Sequence, residues 1–245
     1  MPEFPPPIQL PGQPPLPREP YAPQDRPAPP TVVDEDADVY GAEDAAARLA
    51  ERLRTLEPTP VHAEPGERPR LSPPLTVDRD RIEGPAAGVT VVVFGAHGTP
   101  ASRSLGAVLD TIRDRHLATV GIAWRHYPDP DAHPRAAILA LAVEAAAVSA
   151  RFWPLTRDLL HMRHHDPGDL HAALVRSWLD PSETLDAMRA GVGADRIAAD
   201  VSSAQASGVV VSPTLFVDGE RFTGEVEPAP VLAAVDAALR DRAAG

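Results

Sequence analysis

Cysteine is absent from the 245 residues, so any chemistry of this chain has to come from hydroxyls, imidazoles and carboxylates. The absence excludes structural disulfides, thiolate-ligated zinc, iron–sulfur clusters and a cysteine nucleophile. Among the groups that remain, His97 stands two residues before Thr99, and a base beside a hydroxyl is the first requirement of a nucleophile of the serine type. No third residue can be identified to orient the imidazole, and the sequence has no G-x-S-x-G elbow. His97 therefore reads as a loop residue over a groove. His161, His164, His165 and His171 crowd another stretch, and His161 and His165 have the i, i+4 spacing of a metal pair on a helix. No carboxylate is placed as in H-E-x-x-H, and Asp166-Pro167 ends the helix there. Polar residues favoured by a helix C-terminus explain the cluster better. No metal and no cofactor are expected. Trp124, Trp153 and Phe216 read as core, and Gly95, Gly98 and Gly106 make no phosphate-loop spacing.

The elements that must position these groups follow from composition and period. Of the 30 prolines, nineteen precede residue 75, so a proline-rich front is joined to a more ordinary rear. Residues 1–37 cannot bury enough surface to offset their ordering entropy and are expected to be disordered. Within them Pro11, Pro14, Pro17, Pro20 and Pro23 recur every third residue, the repeat of one polyproline II edge. Such an edge suits a proline-recognising domain as partner of residues 11–23; the plainer reading is a stiff solvated tail. Residues 38–57 read as an amphipathic helix on Leu49, Leu53 and Leu56, and 58–76 as a linker.

All 23 basic residues are arginine, as a coding bias would produce, and no function is read into that. A net charge of −12 with no basic run argues against nucleic acid or an anionic membrane surface as partner. No run of eighteen apolar residues exists, so no membrane span is expected. The opening residues lack the basic and apolar regions of a signal peptide, from which a cytoplasmic location is expected.

From residue 77 the pattern is regular. Val89–Gly95 is a short β-branched strand, a helix follows from Thr99 to about His116, and Ala118–His126 is a second strand. Residues 134–207 are alanine-rich and divide into four or five helices, broken near Pro154, Pro167, Pro181 and Gly191–Gly193. Thr214–Val217 and Arg221–Thr223 flank Asp218-Gly219, a strong hairpin signal, and a last helix runs from about Pro230 to Arg240.

That order resembles an α/β thioredoxin fold with an inserted helical subdomain, and particular stretches narrow the likeness. Arg81–Gly95, Trp124-Arg-His-Tyr-Pro128 with Asp131-Ala-His-Pro134, Phe152-Trp153 followed by Asp158-Leu-Leu-His161, and Gly208–Gly219 are similar to the DsbA-like thiol–disulfide oxidoreductases. The likeness covers residues 77–243 and is greatest to the short-insertion members, some of which occur fused behind sodium/proton antiporters. In that family a Cys-Pro-x-Cys opens the first helix. The corresponding residues here are Thr99-Pro100-Ala101-Ser102. The acidic residue that the family tends to carry six positions earlier is Val93, and the aspartate often found after the strand glycine is Ala96.

The resemblance then poses a physical question. Thr99 suits an N-cap with Pro100 at N1 and Ser102 at N3, where unpaired N–H groups lower a thiol's pKa in the family. A thiol titrates near ~8.5 and an alkanol near ~16, a gap worth on the order of 10 kcal/mol. A helix terminus contributes roughly 0.3–2 kcal/mol. Thr99 stays neutral, and thiol–disulfide exchange is excluded. Ser212-Pro213 falls where the family has its cis-proline, whose preceding residue offers backbone groups to an extended ligand. The expected function is a DsbA-like domain with a degenerate redox site that serves as a peptide- or protein-binding or a structural module, with His97, Thr99, Pro100, Ser102, Ser212 and Pro213 as the candidate groove residues. The alternative is an enzyme similar to kappa-class glutathione transferases, in which a Thr99 or Ser102 hydroxyl would hold the thiolate of glutathione or another small thiol.

Overall fold

The structure is a computed structural model that describes residues 41–57 and 69–244. The proline-rich segment 1–37, with its repeat over 11–23, and residues 58–68 of the expected linker lie outside the described residues. The described residues form one compact unit.

Its centre is a five-stranded sheet. Strands β1 (Arg81–Glu83), β2 (Val89–Gly95), β3 (Val120–His126), β4 (Thr214–Val217) and β5 (Glu220–Arg221) lie in the order β1-β3-β2-β4-β5. β2 and β3 are parallel, with Val91 opposite Ile122 and Val93 opposite Trp124, while the remaining pairings are antiparallel. The parallel pair needs a crossover, and α2 (Ser102–His116) supplies it. All seven residues of β2 and all seven of β3 are buried, as strands covered on both faces must be.

Alternation divides the core in two. Val91, Val93, Ile122 and Trp124 face one apolar cluster that also holds α2 and the helical insertion. Val92, Phe94, Ala123 and Phe216 face a second with Ala204, Val209 and Leu71. The insertion comprises α3 (Arg135–Val148), α4 (Phe152–His161), α5 (Pro167–Arg176), α6 (Pro181–Arg189) and α7 (Ala194–Ala206); α8 (Pro228–Ala244) closes the described chain. Pro167 and Pro181 each open a helix behind an aspartate cap, Asp166 and Asp180, where the missing N–H has no cost. Pro154 is the exception to the expected breaks. It sits in the first turn of α4, where a proline is tolerated for the same reason, and the chain turns at Ser149–Arg151 with Ala150 at φ 56°.

Two strand limits also shift. β3 begins at Val120 because Thr119 N–H bonds the His116 carbonyl and prolongs the helix end. The hairpin closes one residue early, at Glu220, because Asp218 (φ 51°) and Gly219 (φ 81°) complete a two-residue turn. The helix expected over 38–57 is α1 (Glu43–Arg54), and it lies against α3, α6 and α7 through Ala45, Ala46 and Leu49. Arg189 donates to the Gly41 carbonyl at 2.6 Å and holds its start.

Arg125 is the exception within the second cluster's face. It is fully buried and forms a two-pronged pair with Asp80, Nε to Oδ1 at 2.7 Å and a terminal N–H to Oδ2 at 3.1 Å. It also donates to Ser203 Oγ at 2.8 Å and the Pro73 carbonyl at 3.0 Å, and lies over the Phe94 ring. Asp80→Ala strands that charge and should cost about 3–5 kcal/mol in urea unfolding. Glu220→Ala, which opens the exposed Arg70–Glu220 pair, should cost no more than about 1 kcal/mol.

Candidate functional site: a loop of paired hydroxyls beside a groove

The site is built where β2 runs out. After Gly95 the chain turns through Ala96–Ala101 and enters α2 at Ser102. Gly98 has φ +74° in this turn, a conformation glycine adopts without cost. The expected capping arrangement is corrected here. Thr99 is not the N-cap; the cap position is Ala101, which makes no side-chain cap bond, and Ser102 is the first helical residue. The reason lies in the hydroxyls. Ser102 Oγ donates to the Ala96 carbonyl at 2.7 Å and accepts from the Thr99 N–H at 3.1 Å. Thr99 Oγ1 lies 2.9 Å from Ser102 Oγ. A hydroxyl has one proton, and that of Ser102 goes to Ala96, so Thr99 is the donor in their contact. Both protons are committed inside the loop, which closes as a turn with Ser102 N–H on the Thr99 carbonyl.

Ser212 and Pro213 come to the same place from the start of β4, with their peptide bond cis. Thr99, Pro100 and Ser212 line a groove of about 470 Å³ together with Tyr127, Val210 and Val211. Val210 and Val211 are 81% and 57% exposed. The groove's remaining wall comes from Leu53 and Arg54 of α1 and from the turn at Asp129–Asp131. Ser102 is buried beneath and does not line it.

His97 is not over the groove, as expected from the sequence, but inside the protein at 1% exposure. Its ring stacks on Trp124 at 4.5 Å, and neither ring nitrogen has a hydrogen-bond partner among the described residues. Burial, and behind it His126 and His165, holds this imidazole well below its ordinary range. It is therefore neutral, and it makes no bond to Thr99. The alternation of β3 aims Trp124 and His126 at the same side. Trp124 Nε1–H donates to His126 Nδ1 at 3.3 Å, which leaves Nε2 to donate to Glu144 at 3.1 Å. Arg81 meets the other Glu144 oxygen at 2.6 Å. Burial pushes the Glu144 carboxyl up, but His126 and Arg81 outweigh it and hold the group at about 2. Asp200 accepts the His126 backbone N–H at 2.9 Å. There burial prevails over His126, Arg79 and Arg125, and the carboxyl is pushed up to about 6.

The histidine cluster disperses in three dimensions. His161 pairs with Asp110 at 2.7 Å, and His165 Nε2 contacts the Leu159 carbonyl at 2.8 Å. Among the described residues no group of three His, Asp or Glu is placed to hold a metal ion. No described helix is long and apolar enough to cross a membrane. Sequence reasoning missed the groove's outer residues Leu53, Arg54, Asp129, Asp131, Val210 and Val211, and the buried Glu144. A lone glutamate in the apolar run Leu139–Ala147 was the available signal for Glu144.

This architecture is shared by solved proteins. Oxidised BdbD from Bacillus subtilis superimposes with a TM-score of 0.60 at 16% identity, over 67% of this chain and 95% of that one. Alpha-DsbA1 from Wolbachia pipientis gives 0.60 at 13%, over 69% and 96%. A periplasmic thioredoxin-like protein from Salmonella enterica gives 0.53 at 18%, over 66% and 91%. The fold is therefore the DsbA-like thioredoxin fold, carried by a chain without cysteine. Among curated proteins the chain is 31% identical over 172 residues to Na(+)/H(+) antiporter NhaA 1 of Mycolicibacterium gilvum and 37% over 173 residues to NhaA 1 of Salinispora arenicola. These matches take in 69% of this chain but only 28% and 26% of the antiporters; the chain spans about a quarter of their length. No family model matches the chain. The cytoplasmic location expected from the opening residues is overturned by the solved neighbours, one of which is a periplasmic protein of the same fold. Those residues alone do not decide the compartment.

Two measurements follow from this geometry. Thr99→Cys with Ser102→Cys places sulfurs where the oxygens now lie 2.9 Å apart, within reach of a disulfide. Mild oxidation should take the double variant from two titratable thiols to none. Second, the folded pKa of Asp200 lies above the ordinary carboxyl value of 3.8. Between about pH 4 and 6 the folded chain keeps a proton that the unfolded chain has released, so stability falls as pH rises through that window. Glu144 acts in the opposite sense, with stabilisation lost as pH falls from about 4.5 toward 2. Asp200→Asn should remove the decline between pH 4 and 6 in urea midpoints.

Proposed function

We propose that the chain is a redox-silent DsbA-like domain that binds an extended peptide or protein segment in the groove beside Ser212–Pro213. The observation that carries this reading is the pair Thr99 and Ser102. Their hydroxyls bond each other at the positions the resemblance assigns to the family's thiols, while the groove beside them has exposed valines and the Ser212 edge. Neither hydroxyl can approach a thiolate's acidity in this setting, since the helix terminus contributes about 2 kcal/mol at most against a gap on the order of 10 kcal/mol. The antiporter relatives support an accessory role beside a membrane transporter, because the stretch that matches is a minor part of those proteins.

The glutathione reading is weaker for a reason of proton count. A hydroxyl that holds a thiolate must donate to it. Ser102 already donates to Ala96 and Thr99 to Ser102, so either would first have to give up a bond inside the loop.

The native chain should show no catalysed insulin reduction, and turnover would overturn the redox-silent reading. A fluorescent, extended valine- and proline-rich peptide should bind saturably, and Val210→Ser with Val211→Ser should weaken it severalfold. A rise in melting temperature with millimolar glutathione, abolished by Thr99→Val, would replace the peptide reading by the thiol one.

A further inference from the structure

The groove carries more than an apolar surface. Its lining includes two carboxylates, Asp129 and Asp131, against one guanidinium, Arg54, and one imidazole, His133. Arg54 is already matched. Its Nε and one terminal nitrogen both meet Asp131 Oδ1, at 3.0 and 2.8 Å, and its other terminal nitrogen meets Glu51 at 3.3 Å. Asp131, with Glu51 behind it, raises the Arg54 pKa, so the guanidinium keeps its charge inside that pair. Asp129 has no cationic partner among the described residues. Its Oδ1 accepts the backbone N–H groups of Asp131 and Ala132, at 3.1 and 3.0 Å. Both carboxylates are thus fixed in place, one by a turn and one by α1, and both are exposed. Preorganised acceptors give up little freedom when a cation arrives.

We infer that the ligand of this groove carries a lysine or arginine side chain next to its apolar stretch, and that Asp129 and Asp131 select for that charge. The inference rests on the peptide-binding reading above and names the chemistry of the peptide. Two separate features point to the same occupant. Val210 and Val211 present apolar surface that only an apolar segment covers favourably. The turn beside them presents Asp129, a carboxylate without a matching cation among the described residues, next to the Arg54-paired Asp131. An anionic ligand would meet Asp129 directly and find Arg54 taken, which also disfavours glutathione with its two carboxylates. The device does not come with the family resemblance alone, because Arg54, which holds Asp131, belongs to α1 and lies before the stretch 77–243 that carries the likeness.

The test uses the full chain and three labelled nine-residue peptides of valine, alanine and proline, with a central lysine, glutamine or glutamate. Affinity should fall in that order, with lysine three- to tenfold above glutamine at low salt and the contrast shrinking at 0.5 M salt. Asp129→Asn keeps the turn's acceptor, removes its charge and leaves the Arg54–Asp131 pair in place. It should cut the lysine–glutamine affinity ratio at least twofold, with an unchanged melting temperature certifying that the fold is intact. A native chain that binds all three equally, or an Asp129→Asn variant that keeps the full ratio, overturns the inference while leaving peptide binding standing. Failure of all three peptides to bind overturns both.

Discussion

Arg125 enters a face of the sheet with no access to water, and only a complete shell of acceptors makes that tolerable. Asp80 takes two of its N–H groups, and Ser203 and the Pro73 carbonyl take others. These partners come from the segment before β1 and from α7, so one side chain of β3 ties both to the sheet. Its neighbours in β3 face the other way. Trp124 and His126 reach Glu144 of α3 through a relay of hydrogen bonds, and Arg81 of β1 completes it. Three consecutive residues therefore fasten the covering layers on both faces. Because removing one partner of a buried charge is costly, these contacts also bind the layers cooperatively. α7, held in this way, leads directly into Val209–Ser212, and the groove's floor is registered against the sheet by the same bonds.

The loop at Thr99 shows why such a scaffold persists without thiols. The turn needs its internal polar groups satisfied more than it needs any particular heteroatom. A serine at 102 bonds the Ala96 carbonyl and the Thr99 N–H together, and a threonine at 99 adds a third contact. The same bonds use the protons of both hydroxyls, so neither is offered as a donor while the loop stays closed. His97 fits this picture. Stacked on Trp124 and neutral, it fills volume behind the loop and contributes no acid or base to the groove.

Much of this fold was legible because period and burial agree along the chain. The run Val89–Gly95, the Asp218-Gly219 turn and the prolines at 167 and 181 each fix an element through local physics alone. The errors have different origins. Pro154 reads as a breaker until its place in a first turn is known, and Thr99 reads as a cap until Ser102 is seen to take its hydroxyl. His97 looks like a polar loop residue until the stack on Trp124 draws it inward. Only the last was decided by a contact outside the local window; the first two turned on a helix start and a hydroxyl contact within a few residues. The groove was legible only along its inner edge, Thr99–Ser102 and Ser212–Pro213. Arg54 and Asp131 are 77 residues apart, and nothing in either's surroundings announces the other.

That long-range pair also decides what kind of surface the groove is. An apolar cleft by itself discriminates weakly among extended chains, because burying side-chain area rewards any of them. Direction and identity come from polar groups whose positions are set before binding. The backbone bonds to Asp129 and the Arg54 bonds to Asp131 provide two such groups beside two exposed valines. Specificity of this kind depends on ionic strength, whereas the apolar contact does not, and both use α1 through Arg54 and Leu53. On the proposed reading the helix that precedes the thioredoxin fold supplies part of the groove's wall, so the binding unit is larger than the fold that carries the resemblance.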